Sequence, residues 1–388
     1  MNQGKMVFAQ LIEFAPYHVF KYCVKRYDGD YKVQDFTCWK QFLCMAFSQL
    51  THRESLSDTA LCLKLQKDKL YHLGIGKPFH KSTISRANET RDWKIHRDFA
   101  LKLIEQAKVL YVGVNQLDLQ LKGAIYALDS TIVDLCITTF WWATFRTTKS
   151  AIKIHTLLDL KTAIPEYIFI TEGAVHDVNI LDHVDLPGGS YLVMDRAYVD
   201  YERLYNLSKR HVNFVVRAKR NIDCKILDSG TPDEEAGIIN DDAIVLTGNT
   251  TSKRYPDCLR MVRFYDHETE RTFIFLTNNF KLSATTIAEL YKSRWGIELF
   301  FKWIKQHLKI KSFWGQSENA VKTQIWIAIS SYVIVAIAKK RLDLQYSLYE
   351  ILQLISLAPF DRTPIKNFFE SAEYQNFKEQ NYNQLKIV

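Results

Sequence analysis

Four polar residues near position 300 recur at the spacing of an α-helix. Tyr291, Arg294, Glu298 and Lys305 follow one another at intervals of three, four and seven. At about 100° per residue, these offsets place the four side chains within an arc of roughly 60°. A surface salt-bridge ladder also uses pairs four residues apart, but it would not explain the aromatic flanks of 290–305. These four residues, the polar stripe, therefore indicate a half-buried helix that faces an anionic partner.

Length and composition indicate a folded protein with more than one domain. The chain has 388 residues, of which 47% are hydrophobic and 13% aromatic, and this composition argues against disorder. The first residues do not have the pattern of a secretory signal. We interpret the apolar run at 325–338 as a core helix, because it is short for a membrane span of about 20 residues.

The seven cysteines indicate neither a disulfide framework nor a zinc ribbon. Their number is odd, and no pair has the C-x-x-C spacing. We therefore expect the protein in a reducing cytoplasm.

The net charge of +8 is unevenly distributed. Residues 1–112 contain 18 Lys and Arg against 11 Asp and Glu, a net +7, whereas 221–271 contain 6 against 11, a net −5. A polyanion would therefore first meet the N-terminal part.

Residues 1–115 are predicted to form an all-helical domain. Apolar residues recur at helical intervals in 36–50 and 93–110, and Ser55 is placed to cap a helix at 56–70.

A turn and a short helix follow within this domain. The turn lies at 73–78, the helix starts near Ser82, and Lys81 and Arg86 lie on or beside it. This order, with Lys77, Lys81, Arg86 and Arg91 around the short helix, is compatible with a helix-turn-helix that binds DNA. The alternative is an ordinary helical bundle with surface lysines and arginines.

The pattern changes to strands after Gly123. Apolar or alternating runs predict strands at 124–128, 131–138, 151–160, 167–171, 191–194 and 213–217, and a helix at 201–210. This order predicts an α/β fold with a mixed sheet. Residues 221–280 are predicted to form a separate β-rich block, after which Ser283 caps one long helix that carries Glu298.

Two aspartates are predicted to stand where buried strands end. Asp129 and Asp195 follow apolar runs, and ligand sites of α/β sheets gather at such strand ends. Glu298 would add a third carboxylate. Three neighbouring carboxylates repel one another unless a cation lies between them, and an all-oxygen ligand set favours Mg²⁺. Taken singly, each aspartate has the alternative role of a loop cap or helix start.

The polar stripe resembles the Y-(2)-R-(3)-E-(6)-K signature of a group of bacterial transposases, insertion sequence family four. The segments LDST at 128–131 and VMDRAY at 193–198 are similar to the first and second Asp motifs of that group. The resemblance extends over residues 120–330, which is most of the predicted α/β part.

This resemblance implies a fold, an activity and partners. The fold would be an α/β RNase H-like catalytic core, a mixed sheet flanked by helices, with a β-rich insertion and a helical N-terminal DNA-binding domain. Asp129, Asp195 and Glu298 would form a catalytic triad that binds two Mg²⁺ ions, for which Mn²⁺ can substitute. The activity would be cut-and-paste transposition, with hydrolysis at the element ends and transfer of the 3′-OH into target DNA.

The implied partners are double-stranded DNA, as terminal inverted repeats and as target, and a second copy of the chain in a homodimeric synaptic complex. The implied location is the nucleoid of a bacterial cytoplasm. The implied domains are 1–115, a catalytic core of 120–220 and 281–340, an insertion at 221–280, and a helical C-terminal segment at 341–388.

By the same resemblance, Tyr291, Arg294 and Lys305 would hold phosphates of the element end. A phenol, a guanidinium and an ammonium are all donors to phosphate. The alternative for Arg294 is an ion pair with Glu298, four residues later.

Further cations follow the first Asp motif. Arg146, Lys149 and Lys153 would line a DNA channel, or Lys153 would be an ordinary polar position of an alternating strand. The pair His176 and Asp177 resembles a motif of the family that supports the site.

Relatives with an insertion are associated with hairpin intermediates and stack a flipped base on an aromatic side chain there. Segment 221–280 contains no Trp. Tyr255, Phe264 and Tyr265 are the remaining candidates, so the hairpin step stays open.

Two other functions stay open on the sequence. One is an RNase H-like nuclease without strand transfer, and the other is an inactive derivative that only binds DNA. The intact triad and signature argue against the second. The first fits the triad but leaves the insertion and the residues Tyr291, Arg294 and Lys305 without a purpose.

Overall fold

The computed structural model describes residues 4–135, 140, 142–146, 149–218, 221–307 and 313–369. The described residues belong to two units of the fold. The first draws on segments 1–112, 138–142 and 302–388, and the second on 113–137 and 143–301.

The helices and strands of the described residues have the following bounds. The α-helices are α1 (Val7–Ile12), α2 (Tyr17–Arg26), α3 (Cys38–Leu50), α4 (Leu56–Leu65), α5 (Lys81–Thr90), α6 (Lys94–Leu110), α7 (Tyr201–Lys209), α8 (Thr251–Arg254), α9 (Ala284–Ser293), α10 (Trp295–His307), α11 (Glu318–Leu342) and α12 (Leu348–Leu357). The strands are β1 (Ile125–Leu135), β2 (Thr144–Arg146), β3 (Lys149–Asp159), β4 (Ile164–Glu172), β5 (Tyr191–Met194), β6 (Asn213–Arg217), β7 (Cys224–Ser229), β8 (Ile238–Leu246), β9 (Leu259–Asp266) and β10 (Arg271–Thr277). Short 3₁₀ segments lie at Lys67–Lys69, Asp177–His183 and Arg196–Tyr198.

The helices predicted in the N-terminal part are present as α3, α4 and α6. Ser55 caps α4, because its Oγ accepts a hydrogen bond from the backbone N–H of Asp58 at 3.0 Å. Helix α4 ends at Leu65, five residues earlier than predicted, and the chain tightens into the 3₁₀ segment at Lys67–Lys69.

Helix α11 is the core of the first unit. Its side chains from Thr323 to Ala338 are all buried, and it packs against α3, α5, α6 and α12. Tyr111 donates a hydrogen bond to the carbonyl of Ala336 at 3.0 Å. Among the described helices, α11 alone is long and apolar enough to cross a membrane. Its burial inside the unit confirms the core helix predicted at 325–338.

The second unit is built on one mixed sheet of ten strands. The order is β2-β3-β1-β5-β6-β10-β9-β8-β7, and β4 pairs with β3. Strand β1 is antiparallel to β3 and parallel to β5, which is parallel to β6. Helix α7 packs against β6, and α9 packs against β5, β6 and β9. The predicted α/β class with a mixed sheet flanked by helices is confirmed.

Strands from 221–280 extend this sheet. Strand β10 pairs antiparallel with β6, and β9, β8 and β7 follow in this order toward the edge of the sheet, each antiparallel to its neighbour. The β-rich character of the segment is as predicted, but it does not form a sheet of its own. Buried Arg260 fastens it, because its guanidinium bonds both carboxylate oxygens of Asp241, at 2.7 and 2.6 Å, and the carbonyls of Asn279 and Leu282.

Strand β1 runs unbroken where the sequence predicts two shorter strands. Asp129 and Ser130 stay in the ladder, opposite Thr156 and His155 of β3. Two polar residues inside an apolar run look like a turn in the sequence, yet strand pairing satisfies their backbone groups. The prediction that Asp129 stands at a strand end is therefore wrong. Asp195 does follow β5 directly.

The single helix predicted after Ser283 is divided at Arg294 into α9 and α10. Ser283 caps α9 as predicted, accepting from the N–H of Thr286 at 3.1 Å. At the division, the N–H of Arg294 bonds the carbonyl of Tyr291 at 3.1 Å, and the N–H of Ile297 bonds the carbonyl of Arg294 at 3.0 Å. These three-residue bonds are those of a 3₁₀ turn. The periodicity of the sequence does not reveal such a local tightening.

A substitution at Gly237 tests the turn that leads into β8. Gly237 has a φ of +78°, and an added Cβ would lie 2.3 Å from the carbonyl oxygen of Tyr265. Gly237→Ala is expected to lower the free energy of unfolding by about 3 kcal/mol, because a backbone clash adds to the cost of a left-handed φ. Urea unfolding followed by circular dichroism measures the loss.

Gly189→Ala is the matched control. Gly189 has a φ of +84°, and no atom of the described residues lies within 4 Å of an added Cβ, so only the conformational cost of about 1 kcal/mol is expected. Equal losses for the two variants would contradict the clash.

A second prediction concerns pH and His96, which lies in the first unit against Phe20 and Phe42. Its ring nitrogens are buried without a hydrogen-bond partner among the described residues, and burial lowers the pKa of His96 from 6.5 to about 3. Because His96 binds a proton more readily in the unfolded chain than in the folded one, protonation favours unfolding. The stability that depends on a neutral His96 is therefore fully present well above pH 6.5 and is lost as the pH falls. Between pH 7 and pH 5 this group is expected to lower the free energy of unfolding by roughly 2 kcal/mol.

The measurement is urea unfolding at both pH values. His96→Leu should remove this part of the pH dependence, whereas His18→Leu, at an exposed position, should keep it. A pH dependence that is unchanged in His96→Leu would refute the assignment.

Candidate active site

The two aspartates of the predicted triad lie side by side through strand register. The last paired residues of the parallel strands β1 and β5 are Leu128 and Met194, and Asp129 and Asp195 are the residues that follow them in the chain. In each aspartate Oδ1 accepts the N–H of the following residue, at 2.8 Å from Ser130 and at 2.6 Å from Arg196. These bonds fix both side chains and leave Oδ2 for another partner.

Arg294 connects the third carboxylate to the first. Its Nη1 donates to Oδ2 of Asp129 at 3.1 Å, and its Nη2 forms a short ion pair with Oε1 of Glu298 in the first turn of α10. The Arg294 side chain is only 15% exposed. The ion pair of Arg294 with Glu298, which the sequence left as an alternative, is therefore present, and it is extended to Asp129.

The surroundings of these groups shift their proton affinities. The pKa of Asp129 is raised from 3.8 to about 6, chiefly by burial and also by the charges of Asp195 and Glu298, against the lowering effects of the Ser130 N–H and Arg294. Burial by itself would lower the pKa of Arg294, but Tyr291, Asp129 and Glu298 together hold it above its usual value. The guanidinium is thus a fixed positive charge between two carboxylates.

The carboxylates fit a divalent cation by chemistry, but a guanidinium lies between two of them. Asp129, Asp195 and Glu298 offer oxygen ligands only, the set that Mg²⁺ and Mn²⁺ prefer. Yet within the described part of the chain, no three His, Cys, Asp or Glu side chains are grouped closely enough to hold a metal ion. Instead, the positive charge of Arg294 takes the place between Asp129 and Glu298.

The other members of the polar stripe differ in burial. Tyr291 is 9% exposed and packs on Phe275, with 4.5 Å between ring centroids, and burial raises the pKa of its hydroxyl. The guanidinium carbon of Arg294 lies 5.6 Å from the Tyr291 ring centroid, so this ring supports the arginine. Lys305 lies about two turns after Glu298 on α10 and is half-buried.

An exposed aromatic residue beside the polar stripe was not predicted from the sequence as part of the site. Trp295 begins α10 and is 60% exposed, and Leu299, one turn later, is 50% exposed. The aromatic flanks of the stripe gave a general signal, but periodicity alone does not tell which of them face solvent.

The opposite face of β1 carries a second polar cluster. Ser130 follows Asp129, so its side chain points to the other face of the sheet, where its Oγ donates to Oδ1 of Asp177 at 2.7 Å. The Nζ of Lys153 lies 3.2 Å from the same oxygen, and Nδ1 of His155 lies 3.7 Å from it. This group, Ser130, Lys153, His155 and Asp177, is the rear cluster.

Two members of the rear cluster are buried. Lys153 is 7% exposed and also donates to the carbonyl of Val175 at 2.8 Å, and His155 is 0% exposed. Burial lowers the pKa of His155 to about 4, so the ring is neutral. Lys153 is thus a buried partner of Asp177, and this placement opposes a role in lining a DNA channel.

Tyr198 adds a buried phenol to this side. It is 1% exposed, and its hydroxyl makes no hydrogen bond of ordinary geometry within the described residues. Burial raises the pKa of Tyr198, and the charges of Asp129 and Asp177 raise it further. The motif VMDRAY therefore places one acidic side chain in the site and one phenol behind it.

The remaining predicted DNA contacts lie elsewhere. Lys81 and Arg86 are exposed on α5 of the first unit. Arg146 ends β2 and Lys149 begins β3, and their side chains lie outside the described part. His176 precedes the 3₁₀ segment that starts at Asp177.

Two of the three aromatic candidates for base stacking are core residues. Tyr255 is 1% exposed and shares a hydrogen bond with Ser208, and Phe264 is 7% exposed. The stacking role is therefore wrong for these two. Tyr265 is partly exposed.

The rear cluster generates a stability prediction. Removing one partner of a buried ion pair leaves an uncompensated charge, which typically costs 3–5 kcal/mol. Asp177→Asn is therefore expected to lower the free energy of unfolding by about 3 kcal/mol, and adding Lys153→Met should restore a large part of that loss. A double-mutant cycle by urea unfolding measures the coupling.

Asp182→Asn, at an exposed ion pair in the same 3₁₀ segment, is the control and should lower the free energy of unfolding by less than about 1 kcal/mol. Additive effects of the two cluster substitutions would contradict the pairing.

The region of the chain that contains these residues matches a known family. Residues 120–334, more than half of the chain, match the model of the transposase DDE domain family. Residues 3–76 match a domain family of unknown function, DUF4372.

Three curated relatives carry transposase names. The chain is 30% identical over 227 residues to a putative transposase y4zB of Sinorhizobium fredii, and 28% identical over 260 residues to a probable transposase for insertion sequence element IS5377 of Geobacillus stearothermophilus. It is 31% identical over 269 residues to a putative transposase for insertion sequence element IS4SA of Synechocystis. These matches take in 58%, 66% and 67% of the chain and 64%, 66% and 72% of the relatives. The chain thus spans about two thirds of the length of the relatives it matches.

The resemblance inferred from the polar stripe and the two Asp motifs is thereby confirmed, and the chain belongs to the transposase DDE domain family.

Proposed function

We propose that this protein is a DNA transposase that excises an insertion sequence and joins it to target DNA by a cut-and-paste reaction. The observation that carries the proposal is the register of β1 and β5, which places Asp129 beside Asp195. Glu298 is linked to Asp129 by Arg294, which forms an ion pair with each of them. The names of the relatives support the class of reaction.

The sheet supports an RNase H-like core. Among strands β4, β3, β1, β5 and β6, β1 contains Asp129 and β5 is followed directly by Asp195, and α10 carries the glutamate. Strands β7 to β10 would then be the insertion characteristic of part of the family. The exposed cations of the first unit, Lys81 and Arg86, would bind DNA, as would Arg146 and Lys149.

Asp129, Asp195 and Glu298 would hold two Mg²⁺ ions, or Mn²⁺ in their place. When bound, these ions would activate the attacking hydroxyl and stabilise the leaving oxygen of the phosphodiester. The protein prepares the ligands by fixing Oδ1 of each aspartate on a backbone N–H, so that Oδ2 is presented.

The polar stripe would hold the DNA strand beside these ligands. Arg294 and Lys305 are suited to phosphate oxygens, because a guanidinium binds them as a fork and an ammonium binds them as a point charge. Tyr291 keeps Arg294 in place through its ring. Exposed Trp295 offers a surface on which a base can stack, a contact worth about 1–3 kcal/mol.

The DNA partners would be the terminal inverted repeats and the target, with two copies of the chain in the synaptic complex, at the nucleoid of the cytoplasm. A hairpin intermediate would need a stacking side chain in the insertion. Tyr265 is the candidate that is partly exposed.

Glu298→Gln tests the role of the triad. This variant is expected to lose cleavage of labelled element ends by at least about 10³-fold, because an amide is a poor metal ligand, while binding of the ends persists. Gel analysis with Mg²⁺ resolves nick, hairpin, double-strand break and strand transfer.

Glu289→Gln is the control, since Glu289 is exposed on α9. It should cleave like the wild type. Mg²⁺-dependent cleavage that survives in Glu298→Gln would refute the triad, and wild-type cleavage without any strand transfer would favour a nuclease.

A further inference from the structure

Arg294 contacts the groups that a divalent cation would need. Its Nη1 and Nη2 engage Oδ2 of Asp129 and Oε1 of Glu298, two of the three proposed ligands. Both bonds are charge-assisted, and the side chain that makes them is 15% exposed. Little solvent therefore screens this contact.

A guanidinium and a small cation compete for the same oxygens at this place. Mg²⁺ or Mn²⁺ binds carboxylate oxygens at about 2.1 Å, and Oδ2 of Asp129 and Oε1 of Glu298 already accept N–H bonds from Arg294. Two positive charges between the same carboxylates would also repel each other. Arg294 in this position therefore weakens cation binding to Asp129 and Glu298.

The bridging position leaves Arg294 incompletely paired. Its Nε is buried and has no hydrogen-bond partner among the described residues, so the guanidinium uses only part of its donor fork. A phosphate matches this fork through two parallel bonds. The residue also lies at the 3₁₀ turn between α9 and α10.

We propose that Arg294 is an internal counter-ion that competes with the divalent cation for Asp129 and Glu298, and that a DNA phosphate releases it. Cation binding and phosphate binding would then reinforce each other. By thermodynamic linkage, DNA would raise the affinity for the cation by the same factor by which the cation raises the affinity for DNA. This inference rests on the proposed function for its DNA partner, but the competition itself concerns the protein alone.

The first experiment uses the full chain without DNA and Mn²⁺ as the probe, with free Mn²⁺ measured by electron paramagnetic resonance. Arg294→Gln is expected to bind Mn²⁺ about tenfold more tightly than the wild type, an effect in the usual range for coupled sites. Adding Glu298→Gln to Arg294→Gln should abolish the gain, which places it at this site. Arg263→Gln removes one exposed cation of β9 and should leave the Mn²⁺ affinity unchanged.

A second variant protects this test against misfolding. Arg294→Lys keeps a positive charge but has only one nitrogen, so it is expected to give a smaller gain than Arg294→Gln. Thermal unfolding identifies which variant retains the wild-type fold. The Mn²⁺ affinity of that variant is the one compared with the wild type. A Mn²⁺ affinity at or below that of the wild type in the folded variant overturns the competition.

The second experiment adds a duplex that carries one element end, with the Mn²⁺ bound by the duplex alone subtracted. The duplex should raise the Mn²⁺ affinity of the wild type and change that of Arg294→Gln much less. An equal rise in both proteins overturns the release by phosphate. If Arg294→Gln gains affinity without DNA while the wild type cleaves no element end, the competition stands and the transposase proposal fails.

Discussion

The pairing of β1 with β3 on one side and β5 on the other determines which residues of these three strands meet at the site. The parallel register with β5 sets Asp129 beside Asp195, and the antiparallel register with β3 sets Ser130 opposite His155. Because side chains alternate across a strand, adjacent residues of β1 serve opposite faces. A shift of one residue in either register would exchange the two faces.

Each face of β1 balances its charge with a buried cation from another element. On one face, Arg294 from the α9–α10 junction pairs with Asp129, and on the other, Lys153 from β3 pairs with Asp177. Such pairs contribute little net stability, since desolvation offsets their attraction, but losing one partner is costly. The two pairs therefore restrict the positions that β1, β3 and α10 can take relative to one another.

The sequence allowed much of this arrangement to be predicted, and its failures have physical reasons. The polar stripe and the capping residue Ser283 were visible because helical periodicity and N-caps are local signals. The continuity of β1 through Asp129 was missed because polar residues inside a strand look like a turn. The burial of Lys153 was missed because its partner Asp177 lies 24 positions away, on a segment that only the fold brings near.

The interval of four residues between Arg294 and Glu298 predicted one ion pair, but the contact of Arg294 with Asp129 spans 165 positions and leaves no local signal. Gly296 brings α10 close to the end of β3, since an added Cβ would lie 3.0 Å from the side chain of Leu160, the residue that follows this strand. In this arrangement the guanidinium of Arg294 pairs with two of the three carboxylates, Asp129 and Glu298, and the site keeps an excess of negative charge. Buried charge of one sign is costly unless it is balanced. The single positive charge of Arg294 does not neutralise the three carboxylates. The remaining negative charge is the physical reason why this arrangement suits additional cations.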